Sequence, residues 1–239
     1  MNSMAVGEAD SAVGLDLAAE HVTDPVLSRK IYRHFAEERR HARVFGKRLE
    51  ELGFAPKPLP PELDYEKLVQ RYQMGIPMSR YDDPTPFSSE ELIRFFVGCK
   101  AGEERACLEM EGLIRDLEGD PDTVVVLRQI YDDELRHVSF ATEELQRLAD
   151  AGQRGEVVRA LRAGRRAEAR ANRVVTRAFM GHLMRMLGIP ALVRFFAGVS
   201  VDVQFLAKWL FPGGLDRPRV ANPMPVPETR GSGGGAEAL

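Results

Sequence analysis

Two Glu-x-x-His pairs stand 96 residues apart in this chain, Glu38 with His41 and Glu134 with His137. A three-residue step on a helix puts both side chains on one face, so each pair offers a carboxylate and an imidazole to the same point. Glu8 and Glu104 repeat at the same offset. The apolar stripes around the pairs read Ile31, Phe35, Ala42, Phe45, Leu49 and Leu127, Tyr131, Val138, Ala141, Leu145, so each glutamate stands where a core residue belongs. Counted from Thr23 and Gly119 as turning points, all four glutamates are 15 residues away. At about 1.5 Å per residue they share one layer roughly 22 Å above the turns.

Unpaired charges in such an interior would each cost several kcal/mol, beyond what ordinary folding stability tolerates. Two divalent cations cancel four carboxylates, and mixed nitrogen and oxygen donors suit iron or manganese better than structural zinc. The expected ligands are Glu8, Glu38, His41, Glu104, Glu134 and His137, with Glu38 and Glu134 as the bridging pair.

The elements that must position them are helices. Apolar residues recur at three- and four-residue steps, and strand-like alternation is nearly absent. Asp24-Pro25 and Asp120-Pro121 each read as an N-cap followed by proline at the first helical position, and Ser88 with Glu91 forms a capping box. Helices are expected over 4–22, 25–52, 89–117 and 121–149. The first and last two pairs need only short turns and form antiparallel hairpins. Residues 53–87 contain a proline cluster and a short helix near 62–72, a length that suits a crossover. The predicted fold is all-α: a four-helix bundle over 1–150, a helical extension over 151–212 and a flexible tail over 213–239.

One glutamate from each of two helices and Glu-x-x-His from each of the other two, over 4–149, resembles the ferritin-like di-iron carboxylate superfamily. The resemblance implies two iron ions, with manganese as the alternative. Metal-bound histidines pass their second ring nitrogen to a carboxylate or carbonyl. In many family members the acid before each bridging glutamate holds the histidine of the other repeat, which pairs Asp133 with His41 and Glu37 with His137. The family's reactions include iron storage, peroxide reduction and dioxygen activation. Rubrerythrins carry a further glutamate three residues after the third-helix ligand, where this chain has Cys107, and storage ferritins end soon after the bundle. The expected function is a di-iron oxidoreductase, an enzyme that activates O2 to oxidise or hydroxylate an organic, hydrophobic substrate. A ferroxidase or peroxide scavenger and a ferritin-like tRNA hydroxylase are the alternatives. Electrons would come from an external donor, since no G-x-G-x-x-G fingerprint occurs.

Other residues share these faces. His34, four residues before Glu38, reads as a core or boundary histidine. Glu111 faces inward as an extra ligand, a proton relay or an arginine partner, and Tyr131 as a radical relay or a core aromatic. Phe35, Val97, Ala101, Leu108, Tyr131 and Val138 are candidates to line a substrate pocket or to form plain core.

Residues 154–194 hold ten arginines against Glu156 and Glu168 in a chain whose net charge is -3. Arg159, Arg162, Arg166, Arg170, Arg173 and Arg177 follow steps of three or four as one basic stripe on a fifth helix. It either covers acidic bundle faces or meets an anionic partner: a membrane surface, a carrier-bound acyl chain or RNA, with nucleic acid the least favoured. After Gly188-Ile189-Pro190, residues 191–211 are apolar, and this segment caps the bundle, forms a homodimer interface or lies in a bilayer interface. Two cysteines, Cys99 and Cys107, outside any C-x-x-C pair argue against a disulfide scaffold and a zinc ribbon. Residues 1–10 lack the basic and apolar regions of a secretory signal, and no apolar run is long enough to span a bilayer. A cytoplasmic protein is expected, with peripheral membrane contact as its lipid-facing variant.

Overall fold

The computed structural model describes residues 1–210, and the tail expected over 213–239 lies outside the described residues. Every regular element among them is helical: α1 Asn2–Glu20, α2 Pro25–Glu51, α3 Tyr65–Arg71, α4 Ser89–Asp116, α5 Pro121–Leu148, α6 Arg154–Met186 and α7 Ala191–Leu210. The three marked starts are capped as their residues dictate. Asp24 accepts from the Val26 amide, Asp120 from the Thr123 amide, and Ser88 and Glu91 close a reciprocal box. The short helix of the crossover is trimmed to Tyr65–Arg71 because Asp64, accepting from the Lys67 amide, caps it there.

Turns of four residues, 21–24 and 117–120, fold α1 onto α2 and α4 onto α5, and α2 packs on α5 to join the hairpins. The crossover ends against the first turn, where the Phe87 amide donates to the His21 carbonyl at 2.8 Å. Apolar side chains form two main clusters, one including Ile31, Phe96 and Leu145, the other including Phe45, Met110 and Leu127. Between these levels on α2, α4 and α5 come the titratable residues 34–41, 100–103 and 134–137, so a polar layer divides two dry ones.

After α5 a π-helical turn at Ala149–Gln153 breaks the axis, and Gly152 adopts φ 97°, a left-handed conformation that a side chain would strain. The first half of α6 returns along α4, burying Val157, Leu161, Ala167 and Ala171. Their approach is close: a Cβ on Gly164 would stand 2.5 Å from Val97 Cγ1. The second half of α6 carries α7, which packs on no other described element. Capping of the four helices by α7 is therefore not what forms.

Candidate metal centre

Four helices deliver seven titratable side chains to the polar layer. Glu8, His34, Glu38, His41, Glu103, Glu134 and His137 are each no more than 8 % exposed. They form two groups, His34, Glu38, Glu103 and His137, and Glu8, Glu38, His41 and Glu134; within each, the donor atoms lie within 4.8 Å of one another. Glu38 belongs to both. Its Oε1 is 3.2 Å from His137 Nδ1 and 3.5 Å from His41 Nδ1. Glu134 spans the same interval with two oxygens, Oε1 at 3.0 Å from His41 Nδ1 and Oε2 at 3.1 Å from His137 Nδ1.

The outer ring nitrogens are braced crosswise. His41 Nε2 lies 3.1 Å from Asp133 Oδ2, and His137 Nε2 lies 2.9 Å from Glu37 Oε2, the two pairings the family resemblance implies. Arg40 and Arg136 both donate to Asp133, and Arg33 donates to Glu37 at 3.3 Å. Both acids are thereby held below the ordinary carboxylate range: burial alone would raise them, but the histidines and then the arginines outweigh it. Each imidazole is fixed with Nδ1 toward the centre.

One expected ligand is corrected. Glu104 stays at the boundary of the bundle, where the Lys100 ammonium donates to it at 2.6 Å and Arg165 of α6 stands 3.6 Å away. Glu103 takes the inward place, with Oε1 3.1 Å from His34 Nε2. The cause is helical phase: α4 buries Ile93, Phe96, Lys100, Glu103, Cys107, Met110 and Ile114 as one stripe, and Glu104 is about 100° off it. His34 is likewise more than a boundary histidine. Its ring lies tilted by 33° against that of His137 with centroids 3.7 Å apart, and Nε2 is 3.4 Å from Glu38 Oε1. Ile130 occupies the matching position of the second repeat, so the centre has three imidazoles, placed asymmetrically.

Other candidates sit elsewhere. Glu111 accepts from the Tyr131 hydroxyl at 2.6 Å, which satisfies both outside the two groups. Leu108 is 60 % exposed and cannot line an interior pocket, whereas Phe35, Val97, Tyr131 and Val138 are buried and Ala101 is half-buried. Among the six stripe arginines, Arg159 pairs with Glu156, and Arg173 and Arg177 both pair with Asp202 of α7, so these three already have acidic partners within the chain.

The titratable groups of the layer shift one another strongly. Burial, and then the Glu38 charge, push Glu8 well above the usual carboxylate range and Glu103 up to about 8. Glu38 and Glu134 go the other way, because the neighbouring imidazoles outweigh their burial. Against their own burial, the carboxylates lift His137 to about 11 and raise His34 and His41 as well. Despite this crowding, both nitrogens of His34, Glu38 Oε1, His41 Nδ1 and Glu134 Oε1 have no aligned hydrogen-bond partner. Buried polar atoms without partners are rare in folded proteins. Five of them within one cluster fit a pair of divalent cations held by nitrogen and carboxylate donors. No family model, curated protein or solved structure matches the chain.

Proposed function

We propose that the protein is a di-iron carboxylate oxidoreductase that uses dioxygen to oxidise an organic, apolar substrate. The observation that carries the reading is the sharing of Glu38 by two buried donor groups in which five polar atoms make no aligned hydrogen bond. Glu8, Glu38, His41 and Glu134 would hold one metal, and His34, Glu38, Glu103 and His137 the other, with Glu134 spanning both. Such a pair, when bound, supplies redox chemistry toward dioxygen that no side chain here provides.

The chain's own residues set the conditions for that chemistry. Asp133 and Glu37 hold the outer nitrogens of His41 and His137, so both imidazoles present Nδ1 inward without rotating. Apolar clusters above and below exclude water from the layer. Exclusion of water strengthens every interaction between the donors and a cation. The residue three positions beyond Glu103 is Ala106, so the extra carboxylate of the rubrerythrin pattern is missing in this register too, which favours oxygen activation over peroxide reduction.

Metal analysis of purified protein is the first test, with about two iron or manganese ions per chain expected and fewer than one counting against the reading. Reduced protein is then given dioxygen or hydrogen peroxide. Oxygen consumption stimulated by an added apolar compound supports the proposal, and rapid peroxide turnover without any such compound replaces it with scavenging.

A further inference from the structure

The hairpin formed by the second half of α6 and α7 leaves most of its large apolar side chains uncovered. Its charges pair with one another across the two helices while staying 37–45 % exposed: Arg173 Nε donates to Asp202 Oδ1 at 2.6 Å, and Arg177 donates to the same carboxylate and to the Gly198 carbonyl. Its apolar residues face outward. Leu192, Phe196, Val199, Val203, Leu206 and Leu210 recur at alternating steps of four and three, which keeps them on one stripe away from Gly198 and Phe205, and they are 41–67 % exposed. On α6, Phe179, Leu183 and Met186 are also exposed, with Phe179 and Met186 on the side away from Arg173 and Arg177. Both outer faces of the hairpin are therefore apolar.

The turn joins the two faces. Residues 186–193 contain no charged side chain, and Arg185 and Arg194 flank them. Residues 172–210 carry Arg173, Arg177, Arg185, Arg194 and Lys208 against Asp202 alone, a local charge of +4 in a chain of net charge -3. A second copy of the chain pairing along the α7 stripe would cover one face and leave the α6 face and the turn in water. An apolar layer bounded by anionic groups covers both faces, takes the turn and matches the charge.

We propose that the α6–α7 hairpin seats the protein on an anionic lipid bilayer, with the 186–193 turn entering the acyl boundary and Arg185 and Arg194 meeting lipid phosphates. No described helix is long and apolar enough to cross a membrane, so the hairpin lies in the interface. This site is independent of the metal centre.

The test is co-sedimentation of the full chain with vesicles of phosphatidylglycerol and phosphatidylcholine, and of phosphatidylcholine alone, at low and high salt. Expected are binding to the anionic vesicles that weakens with salt, an approximately 30-fold loss in Arg185→Gln/Arg194→Gln, and abolition in Leu187→Asp/Leu192→Asp. All four positions are exposed or half-buried, and unchanged circular dichroism and melting confirm folding. Phe196→Ser/Val203→Ser gives a second reading from the α7 stripe should the turn variant lose helix. Absence of binding to anionic vesicles, or binding that both apolar variants retain, overturns the proposal. So does a lipid-free dimer in sedimentation velocity that the apolar variants dissolve and vesicles do not, which assigns the surface to a second copy.

Discussion

The bundle and the α6–α7 hairpin both bring charges together between helices, the bundle in a buried layer and the hairpin in a partly exposed cluster. In the hairpin the charges between the helices meet their opposite, Arg173 and Arg177 on Asp202, and what lacks a complement is the apolar exterior. In the bundle the apolar side chains complete one another, and what lacks a complement is a layer of carboxylates and imidazoles. A partly exposed ion cluster is a device for joining two helices; a buried layer of carboxylates and imidazoles without aligned hydrogen bonds is a donor set that could hold a cation. On the two proposals above, the partner of the hairpin is a medium and that of the bundle layer is a cation.

The largest effects fall at the shared ligands. Glu38→Gln and Glu134→Gln should each drop metal content from about two ions per chain to below one and abolish the rise in melting temperature that metal gives, measured by elemental analysis and calorimetry. Full occupancy in both would reduce the layer to a structural network. Next in size, Glu103→Gln should lose metal while Glu104→Gln keeps it. The latter should instead cost about 3 kcal/mol in denaturant titration, because Lys100 is left buried without its anion. The reverse pattern would restore Glu104 as ligand. Asp133→Asn should weaken metal binding by about 10- to 100-fold through His41 without unfolding the bundle, a competition assay being the measurement.

Smaller effects sharpen the hairpin side. Phe196→Ser should shift stability in water by less than about 0.5 kcal/mol, whereas Phe45→Ala in the sealed core should cost about 3–5 kcal/mol, both read by chemical denaturation. The Arg173 hydrogen bond, despite partial desolvation and with help from Arg177, holds the Asp202 carboxyl below its ordinary value of 3.8. A depressed folded value adds stability above the unfolded one and loses it as pH falls through the folded one. Protection of the α7 amides, corrected for intrinsic exchange at each pH, should accordingly be lower below pH 3.8 than at pH 5, and Asp202→Asn should show the lower protection at both. Equal protection at the two values would mean that the ion pair contributes nothing.

Much of the centre was legible because α2 and α5 repeat with their apolar stripes in register, so Glu38, His41, Glu134 and His137 announce a face as well as a residue type. The same offset misled at α4. Two adjacent glutamates, Glu103 and Glu104, satisfy the acid count, and only the phase set by Ile93, Phe96, Met110 and Ile114 separates the inward one from its neighbour. That signal was present in the sequence and outweighed by the repeat. His34 was harder to see, since a histidine one turn before a ligand looks the same whether it stacks in a core or aims at a centre, and its repeat position is Ile130. The Asp202 clamp was out of reach of local pattern altogether, because pairing across 25 and 29 residues depends on how α6 and α7 align in space.

Helix α6 runs for 33 residues, about 50 Å, as a single element: its first half lies against α4, where Arg165 stands beside Glu104, and its second half is the scaffold of the hairpin. A continuous helix bends far less readily than a loop. Whatever grips the far end thus sets the tilt of the bundle as well as its tether, aiming the same side of the four helices toward the gripping surface each time the protein lands.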